Sequence, residues 1–408
     1  MEARRNGAKF YVIDPVKNRT GAAADRHFFI NPGSDAALAL GMMHVIFAEE
    51  FDDAGFIGQH ANGADELRAL AAQYPPERAE ALTGMARNDV VMVAREYATI
   101  RPAMLRPGYG LQRSEGGGMA MRLIMMLPAI TGAFRQLGGG IQLSTSQAFQ
   151  LNRVALEMPE LQKVSSLGRQ ARLINMSSLA AALNDVADPP VKALVVYNSN
   201  PAAIAPAQNR VRLGLRRQDL FTVVLEQMQT DTADFADIVL PATTFLEHSD
   251  LYYAYGHHYL QLARPVFPPP GECKSNSEVF RLLAARMGFR EPCFSETDDD
   301  LIRATLASGH EFLEGITLER LEREHSVRLN LPNPFRPFAD GHFGHADGKC
   351  DLRLNGWDYL PPRESRFGDG ALRKKYPLEL VTPKNDNSMN STFEIGRASC
   401  RERVWCLV

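Results

Sequence analysis

The strongest constraint on this chain is a spacing that occurs twice. The apolar run Phe10–Ile13 ends in Asp14, and the run Phe221–Leu225 ends in Glu226. Asp25 follows Asp14 by eleven positions, and Asp237 follows Glu226 by the same eleven. Thr20 and Thr232 each precede the second acid by five, and each second acid leads into an apolar stretch that stops at a proline, Pro32 or Pro241. Short apolar runs closed by acids and prolines are buried-strand signals. An echo of this kind points to two related supersecondary units in one chain. Chance recurrence of common α/β features is the alternative.

The neighbouring segments fit an α/β rhythm of strand, turn and helix. Ser34 stands as an N-cap candidate before a helical stretch, Asp35–Phe47. Another helix is expected over 77–98, a strand at Met104–Leu105 entering Pro107-Gly-Tyr-Gly110, and a helix over 118–134. The second half predicts strands at Ala193–Tyr197, Phe221–Leu225 and Ile238–Leu240, then a helix from Ser277 to Met287. The expected fold is α/β, with two Rossmann-like parallel-sheet domains over 1–140 and 141–292. Residues 293–375, rich in proline, glycine and charge, read as an irregular connection with one helical stretch near 311–324. A strand from Tyr376 to Pro383 opens what is expected to be a further, β-rich domain over 376–393.

Composition narrows the function. With 45 basic against 48 acidic side chains and a net charge of −3, no strong field draws the 408-residue chain to nucleic acid or anionic lipid. The best apolar run, Leu123–Phe134, is interrupted by Pro128 and is too short to span a bilayer. A cytoplasmic location is expected, with a periplasmic one open. The five cysteines form no CxxC and suit isolated thiols better than disulfides. His248 and the pair His257-His258 lack a third ligand at metal-binding spacing, so no metal site is expected on them.

Acids at the carboxyl ends of parallel strands are where open α/β sheets read nucleotides. A carboxylate there can accept from two ribose hydroxyls, or from the N1–H and N2–H edge of guanine. Asp14 and Glu226 stand at such ends; a solvated loop acid is the plainer reading of each alone. Ser34 and Asp35 can equally be simple helix-start residues, and Asn198 and Asn200 simple turn residues before Pro201. The glycines at 108, 110 and 116–118 allow close backbone approach to a ligand, but no GxGxxG or GxxxxGK[ST] is present.

Six phrases occur in a known order: Val12-Ile-Asp-Pro15, Asn31-Pro-Gly-Ser-Asp-Ala-Ala-Leu-Ala-Leu40, Pro107-Gly-Tyr-Gly-Leu-Gln-Arg113, Val196-Tyr-Asn-Ser-Asn-Pro201, Thr230–Ala242 and Asn390-Ser-Thr-Phe393. Together they resemble the molybdopterin oxidoreductase family of dimethyl sulfoxide reductase, nitrate reductase and formate dehydrogenase. The resemblance implies two molybdopterin guanine dinucleotides holding one molybdenum or tungsten ion, one on each of two α/β domains related by a pseudo-twofold. It implies that Asp14, Pro15, Val16, Lys17 and Asn18, with Gly33, Ser34 and Asp35, line one guanosine. Tyr109, Gly110 and Arg113 would reach pyrophosphate or pterin, and Asn198, Asn200, Glu226, His248 and Asn276 would serve the second dinucleotide.

The family's four-cysteine motif for a 4Fe–4S cluster and its Ser, Cys or selenocysteine metal ligand precede a phrase like Gly7–Asp14, and neither is found here. Residues 394–408 resemble a translated sequencing adaptor, so the chain is expected to be a piece of a longer enzyme, inactive alone, with no catalytic residue of its own. A small-molecule substrate and an electron-transfer partner are expected of the parent, with no nucleic acid and no membrane insertion. A redox-inert scaffold subunit and an unrelated nucleotide-binding α/β enzyme are the alternatives.

Overall fold

The computed structural model describes residues 2–163, 171–356 and 358–382. The Asn390–Phe393 phrase and the 394–408 tail lie outside them. The described residues within Met1–Leu143 and Pro332–Pro383 form one compact unit, and those within Ser144–Leu331 form a second.

In the first unit, strand Tyr11–Ile13 pairs in parallel with Arg26–Phe28, Ile13 opposite Phe28. Helix Asp35–Ala48 follows and is apolar all round, with eleven of its fourteen residues buried. A helix without a polar face belongs inside a core. This one is surrounded by helices Pro76–Thr83, Arg87–Thr99 and Gly117–Ile130. The single helix expected over 77–98 is two helices, because Gly84 takes a left-handed φ of 74° and ends the first. Met104–Leu105 is a strand as expected and pairs in parallel with Gly140–Ile141. Prolines 15 and 107 follow the strands closely, and the parallel strands of this unit form separate pairs instead of one sheet.

The second unit carries a three-stranded parallel sheet in the order Ala193–Tyr197, Phe221–Glu226, Ile238–Pro241. Helix Gln208–Leu215 packs on it through Val211 and Leu215, beside Ala180, Leu183 and Leu220. An antiparallel sheet joins Asp250–Tyr252, Tyr259–Ala263 and Ser326–Arg328. Helix Asn276–Met287 begins one residue earlier than expected.

The echo in the sequence has a matching local geometry. Strand partners lie fifteen residues apart in both units, Ile13 with Phe28 and Leu225 with Leu240. Asp25 donates its N–H to the Phe10 carbonyl (2.8 Å) while its Oδ2 accepts the Phe10 N–H (2.8 Å). Asp237 does the same with Thr222, at 2.9 and 2.7 Å. The second acid of each unit therefore fastens the start of the strand pair.

The segment expected to be an irregular connection is divided and structured. Residues 293–331 pack in the second unit, with helices Asp298–Leu306 and Leu318–Glu324. Residues 332–382 belong to the first unit, where Cys350–Asp351 adds a parallel pairing to Ala61–Asn62 and Leu352, Leu354 and Tyr359 enter the core. Over 376–382 no strand of two or more residues forms; Leu380 makes a single bridge, and the rest of that expected strand is outside the described residues.

Candidate functional site

Asp14 follows the last residue of its strand, and its N–H donates to the Phe28 carbonyl (3.1 Å), which sets the direction in which it leaves the sheet. Its Oδ1 accepts the Val16 N–H (2.7 Å) across Pro15, and its Oδ2 receives the Asn18 side-chain amide at 3.3 Å. This is an Asx-type turn. Asn18 also caps helix Arg19–Ala23 through Gly21 N–H (3.0 Å), while Lys17 is exposed.

The neighbouring strand leads to Asn31–Asp35. Asn31 anchors this loop, its N–H donating to Thr83 (2.7 Å) and its side chain to Leu82 (2.9 Å). Gly33 has a φ of 74°, and a Cβ there would overlap Pro362. Ser34 occupies the N-cap position but does not cap; its hydroxyl is buried and donates to the Asn31 carbonyl (2.7 Å). That leaves the first N–H groups of a fourteen-residue helix without a side-chain cap from Ser34.

Asp35 is the first residue of that helix. Burial pushes its carboxyl up to about 6, its own backbone N–H pulls the other way, and Asp14 adds to the rise. Asp35 therefore senses Asp14 at the carboxyl edge of this unit. Tyr359, brought in by the returning segment, is pushed up to about 12, first by burial and then by Asp35 and Glu379. Tyr109, Gly110 and Arg113 lie in the loop between Met104–Leu105 and helix Gly117–Ile130. Tyr109 and Arg113 are exposed, and a Cβ on Gly108 or Gly110 would meet nothing within 4 Å.

In the second unit the polar residues again gather where strands end. Asn198 follows the first strand in a left-handed conformation, φ 54°. Asn276, at the start of its helix, donates its side-chain amide to Asn198 Oδ1 (2.9 Å), and its own Oδ1 is buried with no partner. Glu226 ends the central strand, and its Oε1 accepts the Gln227 N–H (2.9 Å). The Gln227 side chain donates to the Thr243 carbonyl (2.9 Å), and the Thr243 hydroxyl lies 2.9 Å from His248 Nδ1. Glu226 and His248 are thus joined through Gln227 and Thr243.

Asn200 is 6% exposed, and its Oδ1 accepts both the Thr232 N–H (3.1 Å) and its hydroxyl (2.7 Å). Its acceptor is committed inside the protein. Sequence alone does not mark Gln227, Thr243 or Tyr359. Thr243 lies in Pro-Ala-Thr-Thr and Tyr359 far along the chain, with no local pattern to mark either. Among the described residues, no group of three or more His, Cys, Asp and Glu is placed to hold a metal ion, and no helix is long and apolar enough to cross a membrane.

Parallel strands with carboxylates and amides collected at their carboxyl ends define an α/β protein of the kind that binds ligands at sheet edges. The chain belongs to the molybdopterin oxidoreductase family, whose profile matches residues 1–286. It is 40% identical over 399 residues to probable oxidoreductase YoaE of Bacillus subtilis (strain 168), covering 96% of this chain and 57% of that protein. It is 28% identical to the assimilatory nitrate reductase catalytic subunit of the same organism, over 93% of this chain and 56% of that subunit. The solved structure of acetylene hydratase from Pelobacter acetylenicus superposes with a TM-score of 0.74 at 26% identity, covering 95% of this chain and 58% of the other. The chain therefore spans somewhat over half the length of these relatives.

Proposed function

We propose that this chain grips the guanosine ends of two molybdopterin guanine dinucleotides carrying molybdenum or tungsten, one on each unit. The observation that carries the reading is the repeated strand geometry, which presents Asp14 and Glu226 at equivalent strand ends with partners fifteen residues apart. The residues fit such a group. Guanosine offers N–H and O–H donors, and these edges offer carboxylates together with the buried, unpartnered oxygen of Asn276. The open space beside Gly108 and Gly110 suits a phosphate or pterin approaching backbone.

Asp14 to Asn18 and Gly33 to Asp35 hold the first guanosine in this reading; Asn198, Glu226, His248 and Asn276 hold the second, with Asn200 contributing only its amide N–H because its oxygen is committed to Thr232. Tyr109, Gly110 and Arg113 face pyrophosphate or pterin. When bound, such a cofactor supplies two-electron redox chemistry at its metal. The residues gathered here accept, donate and orient, and none is a redox group, so their contribution is grip rather than turnover. For the whole protein the proposal extends to oxidation or reduction of a small molecule, the activity carried by the names of YoaE and the nitrate reductase subunit; the hydratase among its relatives means that family membership fixes neither the substrate nor the reaction.

The test is guanosine diphosphate binding by calorimetry. About two equivalents per chain are expected, with Asp14→Ala and Glu226→Ala each removing one. A chain that binds no guanosine diphosphate, or in which neither substitution matters, refutes the reading.

A further inference from the structure

Helix Asp298–Leu306 starts beside the second unit's strand-end cluster and has a firmly built first turn. Thr297 and Asp300 form a reciprocal capping box, Thr297 Oγ1 accepting the Asp300 N–H (3.2 Å) and Asp300 Oδ2 accepting the Thr297 N–H (3.0 Å). Two carboxylates project from this turn. Asp298 Oδ1 accepts the Ser277 hydroxyl (2.7 Å) and Arg281 Nη1 (3.0 Å), and the same Arg281 nitrogen donates to the Glu296 carbonyl (3.1 Å). Ser277 and Arg281 belong to the helix that opens with Asn276. Asp299 Oδ1 accepts Arg264 Nη1 (2.5 Å), which also donates to the Ser249 hydroxyl (2.9 Å), one residue beyond His248. Arg264 is held from its other side by Glu322.

We propose that Asp298 and Asp299 are positioning residues for the second unit's nucleotide site: two adjacent carboxylates on one capped helix start fix two separate arms of that site. Asp298 sets the helix from which Asn276 reaches Asn198; Asp299 sets, through Arg264, the segment that holds His248 against Thr243. The inference rests on the guanosine reading above. Its physical basis is preorganisation: a ligand-binding side chain held by a second hydrogen-bonded layer loses less freedom on binding. Both pairs are partly shielded, and both are charge-assisted hydrogen bonds with fixed direction, unlike an open surface ion pair.

The experiment uses the full chain carrying Asp14→Ala, so that the second unit's site alone reports, with guanosine diphosphate as probe. Asp298→Ala should weaken binding about fivefold to tenfold, the scale of a misaligned hydrogen bond. Asp298→Asn should stay within about twofold, because its amide oxygen still accepts from Ser277. The Asp298→Ala loss should vanish when Asn276 is already alanine, and an Asp299→Ala loss should vanish when His248 is already alanine, since coupled residues are not additive. A purely structural role predicts lower thermal stability with unchanged affinity of the folded protein. Binding that survives both alanine substitutions, or losses that add to those of Asn276→Ala and His248→Ala, overturns the positioning role and leaves the guanosine reading intact. No binding by the unsubstituted chain overturns both.

Discussion

Replacing Asp237 by alanine tests what the paired spacing is for. Its carboxylate accepts the Thr222 N–H at 2.7 Å, and its own N–H donates to the Thr222 carbonyl at 2.9 Å. Thr222 is 0% exposed, so without the carboxylate its N–H has no water to turn to. Leaving a buried donor unpaired costs about 1–3 kcal/mol, and the acceptor lost here is charged, which puts the expected loss near 2 kcal/mol. If opening of the strand pair exposes this amide, that loss corresponds to roughly 30-fold faster exchange. Hydrogen exchange followed by mass spectrometry, on peptides covering Phe221–Glu226 and Phe10–Ile13, reads both units in one sample. Asp237→Ala should accelerate the first peptide and leave the second unchanged; Asp25→Ala should do the reverse. Asp237→Asn, which keeps an acceptor, should cost under about 1 kcal/mol. Equal acceleration in both peptides, or none in either, would refute the claim that each second acid is a local clamp.

Two further outcomes follow from the same hydrogen-bond map. Asp35 has a carboxyl pushed up to about 6 by burial and Asp14, so the folded state holds its proton over a range where the unfolded chain has released it. Stability should therefore fall as pH rises from about 4 to about 6, by up to about 3 kcal/mol, and Asp35→Asn should flatten that part of a urea-denaturation series; an unchanged slope counts against it. Asn200→Ala strands the Thr232 N–H and hydroxyl in a buried setting and should destabilise the second unit by about 2–3 kcal/mol in thermal unfolding, an effect that a residue serving only a ligand would not produce.

Parallel strands and their ends were legible because they are local. Runs such as Tyr11–Ile13 and Ala193–Tyr197 announce themselves by composition and a following breaker, and the eleven-residue spacing foreshadowed a shared register. What each polar residue does was far less legible. Ser34 stands at the N-cap position that the sequence indicates, yet its hydroxyl turns back to Asn31 instead of capping forward. Asn200 reads in sequence as a turn residue or ligand, yet its oxygen is tied to Thr232, thirty-two positions away. The fate of 293–375 depended wholly on such distant contacts: Asp299 meets Arg264, and Tyr74 donates to Asp358 across 284 positions (2.6 Å). No periodicity records a partnership of that range.

Because the first unit is assembled from two stretches of chain, its completion is a matter of timing. Leu352, Leu354 and Tyr359 belong to the same core as helix Asp35–Ala48, but they emerge after all of Ser144–Leu331 has been made. At roughly 5–20 residues per second, translation of that insert takes on the order of 10–40 s. Through that interval the second unit has its own contiguous sequence and is free to fold. The first unit must wait with the ground for its last core residues uncovered, including the place where Tyr359 comes to stand near Asp35. Of these two units, the one whose sequence emerges earlier is the one completed later.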